Sequence, residues 1–242
     1  MRKQKKKKVI KLEPLTPVKK ENITIKTKLK PKNKNQENFI INLAENTITV
    51  AIGPAGTGKT RVSVAYGIEK LIIGDFKRLV ITRPIVEAGE HLGYLPGDFS
   101  EKINPYLQPI YYELSHYLSK QELDTFINNG LNRRGENEII IAPLAYMRGM
   151  NYHDSYMILD EAQNCTFEQI KLFITRVGFN SKAVLVGDET QSDLPPGKSG
   201  LLEWYELLNG VKNIGTLKLD KEDIIRNPVI SDILDKISKV KK

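Results

Sequence analysis

The chain has 242 residues, enough for one sizeable core and a tail, and it carries a formal net charge of +8. A single cysteine excludes an intramolecular disulfide, no apolar run approaches the ~18 residues of a membrane span, and the basic N-terminus lacks the apolar stretch of a secretory signal. A soluble, cytoplasmic protein is therefore expected.

The charge is unevenly placed. Residues 1–36 hold 14 Lys+Arg against 2 Asp+Glu, and the remainder holds 23 against 27. The arm over residues 1–35 is too polar to bury a core and is expected to be disordered. Its lysines read either as a phosphate-binding arm for RNA or DNA or as a solubilising tail. One domain is expected from Gln36 to Lys242. Thr47 to Ile52 reads as a β-strand and Thr60 to about Ile73 as a helix. A second strand, "RLVITR", is stopped by Pro84. In the segment 100–118, Tyr106, Ile110, Tyr111, Leu114, Tyr117 and Leu118 recur at helical spacing, which reads as a helix packed on the core, with a base-stacking platform as the alternative. Glu138 to Ala142, "SYMIL", "KAVLVG" and "IGTLKLD" supply four further strands. Thr166 and Gln169 form a capping box for a helix expected to end at Gly178. Asn227 and Pro228 are expected to open a last helix. Short apolar strands alternating with helices predict an α/β fold with parallel strands and helices on both faces.

Gly53-Pro-Ala-Gly-Thr-Gly-Lys-Thr60 fits G-x-x-x-x-G-K-[ST] and falls between a predicted strand and a predicted helix. Such a loop curls so that the N–H groups of Gly53, Pro54 excepted, Ala55, Gly56, Thr57 and Gly58 face phosphate oxygens at a helix N-terminus. Lys59 can reach the β- and γ-phosphates of a nucleotide, and Thr60 can ligate Mg²⁺. In "MILDEAQ", Asp160 ends a buried strand and can hold Mg²⁺, through a water; Glu161 beside it can orient the attacking water. Gln191, after the next strand, can sense the γ-phosphate. His91, His116 and His153 show no metal-ligand spacing.

The blocks "GPAGTGKT", "ITRPIVEAGEHLGYLPGD", "APLAYMRG", "ILDEAQN", "TRVGFNSK", "VGDETQSDLP" and "DIIRNPV" resemble, in order, those of the PhoH family, bacterial and phage proteins related to superfamily I helicases. The resemblance spans about Gln36 to the C-terminus and leaves out the basic arm. It implies a P-loop NTPase of RecA-like, three-layer α/β architecture with a mostly parallel central sheet. It aligns Gln36 with a glutamine that reads adenine, places Arg83 near nucleic acid or nucleotide, and matches Arg226 to a phosphate-sensing or finger arginine. Arg148 and Arg176 fall in other family blocks, and Arg148, like Arg83 and the N-terminal lysines, is a candidate nucleic-acid contact. For each arginine a structural ion pair is the alternative. The sequence departs from the family in a shorter "DLPPGKSG" and in Cys165, whose closeness to the site suggests sensitivity to thiol reagents.

These residues lead to an expected Mg²⁺-dependent ATP hydrolase acting on single-stranded RNA or DNA. A lone core lacks an arginine from a second domain, a group contributing ~10³–10⁵ in rate. A homo-oligomer, a hexamer, is therefore expected, with Arg226 of one protomer facing the next protomer's ATP. No PIN-type nuclease segment is read. Two other readings stay open: an ATP-dependent oligomeric switch or scaffold for a protein partner, and a small-molecule kinase.

Overall fold

In every strand of the sheet, successive side chains point to opposite faces, and apolar residues occupy both. Such strands are stable only inside a three-layer arrangement. The computed structural model describes residue 26 and residues 28–85, 99–132 and 138–225. Six strands are described: β1 (Ile48–Ile52), β2 (Arg78–Arg83), β3 (Glu138–Pro143), β4 (Ser155–Leu159), β5 (Lys182–Gly187) and β6 (Ile214–Lys218). They form one sheet in the order β3-β2-β4-β5-β1-β6, and every neighbouring pair is parallel. Strand β5 thus separates β1 from β4.

The alternation of β1 shows how the layers form. Ala51 packs with one cluster and Val50 and Ile52 with the other, all fully buried. The first face is covered by α1 (Lys34–Glu45), α2 (Lys59–Ile73), α3 (Phe99–Ser115) and α4 (Lys120–Asn132), through residues such as Phe39, Ile68, Leu114 and Phe126. The second is covered by α5 (Phe167–Ile174), α6 (Leu201–Leu208) and 3₁₀ turns at Leu144–Met147 and Ala162–Asn164, through Met147, Ile170, Phe173 and Trp204. The three-layer α/β architecture is the expected one.

The segment around α3 packs on the core rather than offering a stacking platform. Ile110, Leu114, Tyr117 and Leu118 are buried against the first face. Helix α5 carries the complete capping box: Thr166 Oγ1 accepts from Gln169 N, and Gln169 Oε1 accepts from Thr166 N.

Three sequence expectations need correction or fall outside the described residues. Helix α5 is capped by Thr175, not Gly178. Gly178 is required for a different reason: a Cβ there would lie 2.5 Å from the Tyr152 carbonyl oxygen, so the strand-like approach of residues 152 and 178 leaves room only for hydrogen. The packed domain starts before Gln36. Lys26 Nζ donates to the carbonyls of Ser115 (3.2 Å) and Leu118 (2.8 Å) at the end of α3, and Leu29 N–H donates to Glu69 Oε1 at 2.8 Å. Leu29, apolar among lysines, packs on the first cluster and pulls residues 28–35 onto the domain. The helix expected from Asn227 lies outside the described residues. Among the described residues no helix is long and apolar enough to cross a membrane.

Candidate functional site

The phosphate loop, Asp160, Glu161, Arg83 and Gln191 gather at the C-terminal ends of β1, β2, β4 and β5, where parallel strands leave a crevice. Chain 53–58 turns from β1 into α2. Gly58 is the N-cap of α2 with φ +86° and offers no side-chain cap, so the first amides of α2 are open to an anion. Glycine is also needed there because a Cβ would come 2.6 Å from Gln36 Nε2.

Lys59 is buried, and its ammonium donates to the carbonyls of Gly53 (2.6 Å) and Pro54 (2.8 Å) and to Thr57 Oγ1 (3.4 Å). Burial lowers its pKa, while Asp188, Glu161, Asp160 and Glu189, in falling order, act against that shift. A lysine surrounded by four carboxylates and drawn onto its own loop is a cation held ready for a stronger anion.

Opposite the loop, Thr60 Oγ1 donates to Asp160 Oδ1 at 2.7 Å. Asp160 is buried at the end of β4; burial raises its pKa, and the Arg83 guanidinium opposes that rise. Glu161 has φ +54° and ψ 41°, a left-handed conformation for a residue with a side chain. Such strain persists where the surroundings over-determine it, commonly at functional positions. Here Arg83 Nη2 donates to Glu161 Oε1 at 2.7 Å, and Gln163 Nε2 donates to Glu161 Oε2 at 2.5 Å.

Arg83 sits beside the acidic pair at the end of β2. Its side chain is 17% exposed, and besides Glu161 it pairs through Nε with Asp160 Oδ2 at 3.3 Å. The structural ion pair, the alternative reading for this arginine, is therefore formed. Gln36 is buried in the pocket wall, with Nε2 donating to the Thr57 carbonyl (2.9 Å) and Oε1 accepting from Lys32 N (3.0 Å). Both ends of its amide are used by the chain, so in this arrangement it braces the phosphate loop. Gln191 lines the pocket from an exposed position after β5, its N–H bonded to the Asp188 carbonyl at 3.0 Å. Arg148 is exposed beyond the turn Leu144–Met147 and does not line the pocket. Arg176 is structural, donating to Met150 O and Thr175 Oγ1. Arg226 and the lysines of residues 1–25 lie outside the described residues; Ile225, just before Arg226, donates its N–H to Gly56 O at 2.9 Å.

The sequence reading missed two contributors. Asp188 Oδ2 accepts from Ala55 N–H at 2.8 Å, so a carboxylate already sits against the phosphate loop. Gln163, 2% exposed, joins the strands by also accepting from Asp188 N at 3.1 Å on Oε1. Both stood inside quoted motifs, "VGDETQ" and "DEAQ", without a local mark of their roles. Of the basic arm, whose lysines were read as phosphate contacts, Lys28, Lys30 and Lys32 line the 550 Å³ cavity beside Arg61. Cys165 is fully buried and burial pushes its thiol far up, so the expected thiol sensitivity is not supported. His153 Nδ1 accepts from Phe179 N–H at 2.9 Å and its ring stacks on Phe179, a packing role.

These residues fit a nucleotide with a divalent cation. Free amides at the start of α2 and the Lys59 ammonium suit phosphate oxygens. Thr60 and Asp160 offer hard oxygen donors side by side. One or two protein oxygens beside substrate phosphates are the ligands a Mg²⁺ ion takes.

Comparison with known proteins agrees with this geometry. The profile of the family described as PhoH-like protein matches residues 28–238. The chain is 43% identical over 212 residues to a PhoH-like protein of Bacillus subtilis, covering 87% of this chain and 64% of that one. It is 38% identical over 197 residues to the protein PhoH of Escherichia coli, covering 81% and 54%. The chain therefore spans less than two thirds of the length of these curated relatives. Among solved structures, the large terminase of a thermophilic bacteriophage shares the fold, with a TM-score of 0.50 and 14% identity over 84% of this chain and 50% of that one.

Proposed function

The chain belongs to the PhoH-like protein family, and on that premise we propose that it is a Mg²⁺-dependent ATPase whose turnover is coupled to single-stranded RNA or DNA. The observation that carries the reading is the placement of Thr60, Asp160 and Glu161 opposite Lys59 across one crevice. Thr60 and Asp160, the latter through a water, would hold Mg²⁺, which would supply charge neutralisation for the β- and γ-phosphates. Lys59 leaves the Gly53 and Pro54 carbonyls for phosphate oxygens, exchanging neutral acceptors for charged ones. Glu161 takes a proton from water as its oxygen bonds to the γ-phosphorus. The bond from that phosphorus to the bridging oxygen breaks, and ADP leaves with that oxygen. Gln191 and Gln36 both line the pocket; in this reading Gln191 reports the γ-phosphate to the rest of the domain, and Gln36 contacts adenine once it releases Thr57 and Lys32.

Exposed Arg148 and the lysine-rich arm 1–35 support a polyanion partner held largely by backbone charge. A homo-oligomer, a hexamer, in which Arg226 completes a neighbour's site, belongs to the same proposal. A second reading is a slow ATP-dependent switch for a protein partner. It is favoured by one observation: Lys59 and Glu161 are both engaged by the chain itself.

The deciding experiment is steady-state ATP hydrolysis with and without Mg²⁺ and with single-stranded RNA or DNA, alongside sedimentation with nucleotide. Stimulation of tenfold or more by either polymer supports the first reading. Slow hydrolysis indifferent to both supports the switch. A monomer that hydrolyses ATP fully sinks the hexamer.

A further inference from the structure

A general base works through an oxygen that is free to turn to its water. In this arrangement both oxygens of Glu161 are held, Oε1 by Arg83 Nη2 at 2.7 Å and Oε2 by Gln163 Nε2 at 2.5 Å. The residue also has a left-handed backbone, φ +54° and ψ 41°. Both donors are in turn tied to the site. Gln163 is locked in the interior, its amide shared among Glu161, Asp188 N and the Gln191 carbonyl (3.4 Å). Arg83 has more freedom. It is the last residue of β2, its side chain is 17% exposed, and it is followed by Pro84, which has no N–H to extend the ladder. Its guanidinium fork matches a phosphate as well as a carboxylate.

The sheet register shows what can reach it. Arg83 pairs with Pro143 on β3, and Pro143 leads directly into the turn Leu144–Met147 and exposed Arg148, with Tyr146 half-exposed between them. A chain of phosphodiesters crossing the ends of β3 and β2 meets Arg148 first and Arg83 next.

We infer that Arg83 is a latch on Glu161, opened when a phosphodiester of single-stranded nucleic acid takes its guanidinium in exchange for the carboxylate. Arg83 is then a positioning residue: it acts on hydrolysis through Glu161. The exchange gives up the Glu161 pair, and with it the longer pair to Asp160 when the guanidinium turns, for the phosphodiester, and leaves Gln163 alone to orient the freed carboxylate. This inference rests on the proposed ATPase reading of the site, and it gives that reading a physical route from polymer to turnover.

The test compares wild type with Arg83→Gln and Gln163→Met. Basal Mg²⁺-ATP turnover, its stimulation by single-stranded RNA and DNA, and thermal melting are measured for each. Binding of a fluorescein-labelled single-stranded oligonucleotide is measured with no nucleotide present. Arg83→Gln is expected to raise basal turnover ~3- to 10-fold, to reduce stimulation to near unity, and to weaken oligonucleotide binding ~3- to 10-fold, the loss of one charge-assisted pair. Gln163→Met is expected to raise basal turnover ~2- to 5-fold with oligonucleotide binding unchanged, since it frees one oxygen and touches no polymer.

A tenfold loss of basal turnover in Arg83→Gln with an unchanged melt overturns the latch and places Arg83 in the chemistry. Unchanged basal turnover and unchanged stimulation also overturn it. If Arg83→Gln fails to melt cooperatively, Gln163→Met decides alone, and no gain in its basal turnover counts against the latch. If wild type hydrolyses ATP but neither polymer stimulates it, the nucleic-acid opener is overturned, and a raised basal rate in Arg83→Gln then points to an acidic protein as opener. If wild type is inert, an active Arg83→Gln supports the latch while the coupled-ATPase reading fails; an equally inert variant sinks both.

Discussion

The two walls of the crevice are built in different ways. The phosphate loop is a local object: residues 53–60 run without interruption from β1 into α2, and Lys59 folds back onto Gly53 and Pro54 within the same turn. The facing wall is assembled from three strand ends, with Arg83 from β2, Asp160 and Glu161 from β4, and Asp188 from β5. The first wall is backbone amides and one ammonium, suited to hold an anion. The second is a web of side chains, suited to move a proton or withhold that movement. If the proposed ATPase reading holds, binding and turnover should be separable, and Asp188, bonded to Ala55 N–H, is the side chain that crosses from one wall to the other.

The largest effect should come from the facing wall. Glu161→Gln is expected to lower turnover ~10²–10⁴-fold, the usual contribution of a general base, while a fluorescent nucleotide still binds. Equal loss of binding would mean the two walls are not separable. Lys59→Ala attacks the other wall and should lower turnover ~10²–10³-fold, as for loss of one charge-stabilising donor, with weaker nucleotide binding in the same titration. Retained binding in that variant would reverse the assignment. Asp188→Asn tests the bridge between them. It removes the carboxylate that acts most strongly on Lys59 and is expected to tighten nucleotide binding about threefold to tenfold, read by the same fluorescence titration. Smallest of all is the effect of a thiol reagent. Cys165 is inside the second cluster with its thiol pushed far up, so a maleimide should leave the folded protein unmodified by mass and fully active, and should react once the chain is unfolded.

Much of this was legible in the residues. The six strands fall where apolar runs end in Gly, Pro or Asp, and the capping box at Thr166 and Gln169 forms as its spacing predicts. Gly178 misled because glycine serves two ends: it favours a helix terminus, and it also permits close backbone approach, and only the neighbouring Tyr152 carbonyl shows which applies. The start of the domain was placed late because one leucine among lysines carries little weight in composition, yet Leu29 has a core to pack on. Arg83 sat at the right strand end, but a lone arginine has no periodicity to show whether it faces carboxylates or solvent.

The sequence by itself determined the six strands, the helix after the phosphate loop and the loop itself, because strand alternation, helix periodicity and a glycine-rich turn are satisfied by residues within a few positions of each other; helices α1, α4 and α6 were not read from it. The tertiary structure alone decided that β5 lies between β1 and β4. Strand order depends on hydrogen bonds between residues far apart in the chain, and no local pattern encodes it. That order brings Asp188 between the loop and the acidic pair, joins Gln163 to both, and leaves Glu161 held at both oxygens.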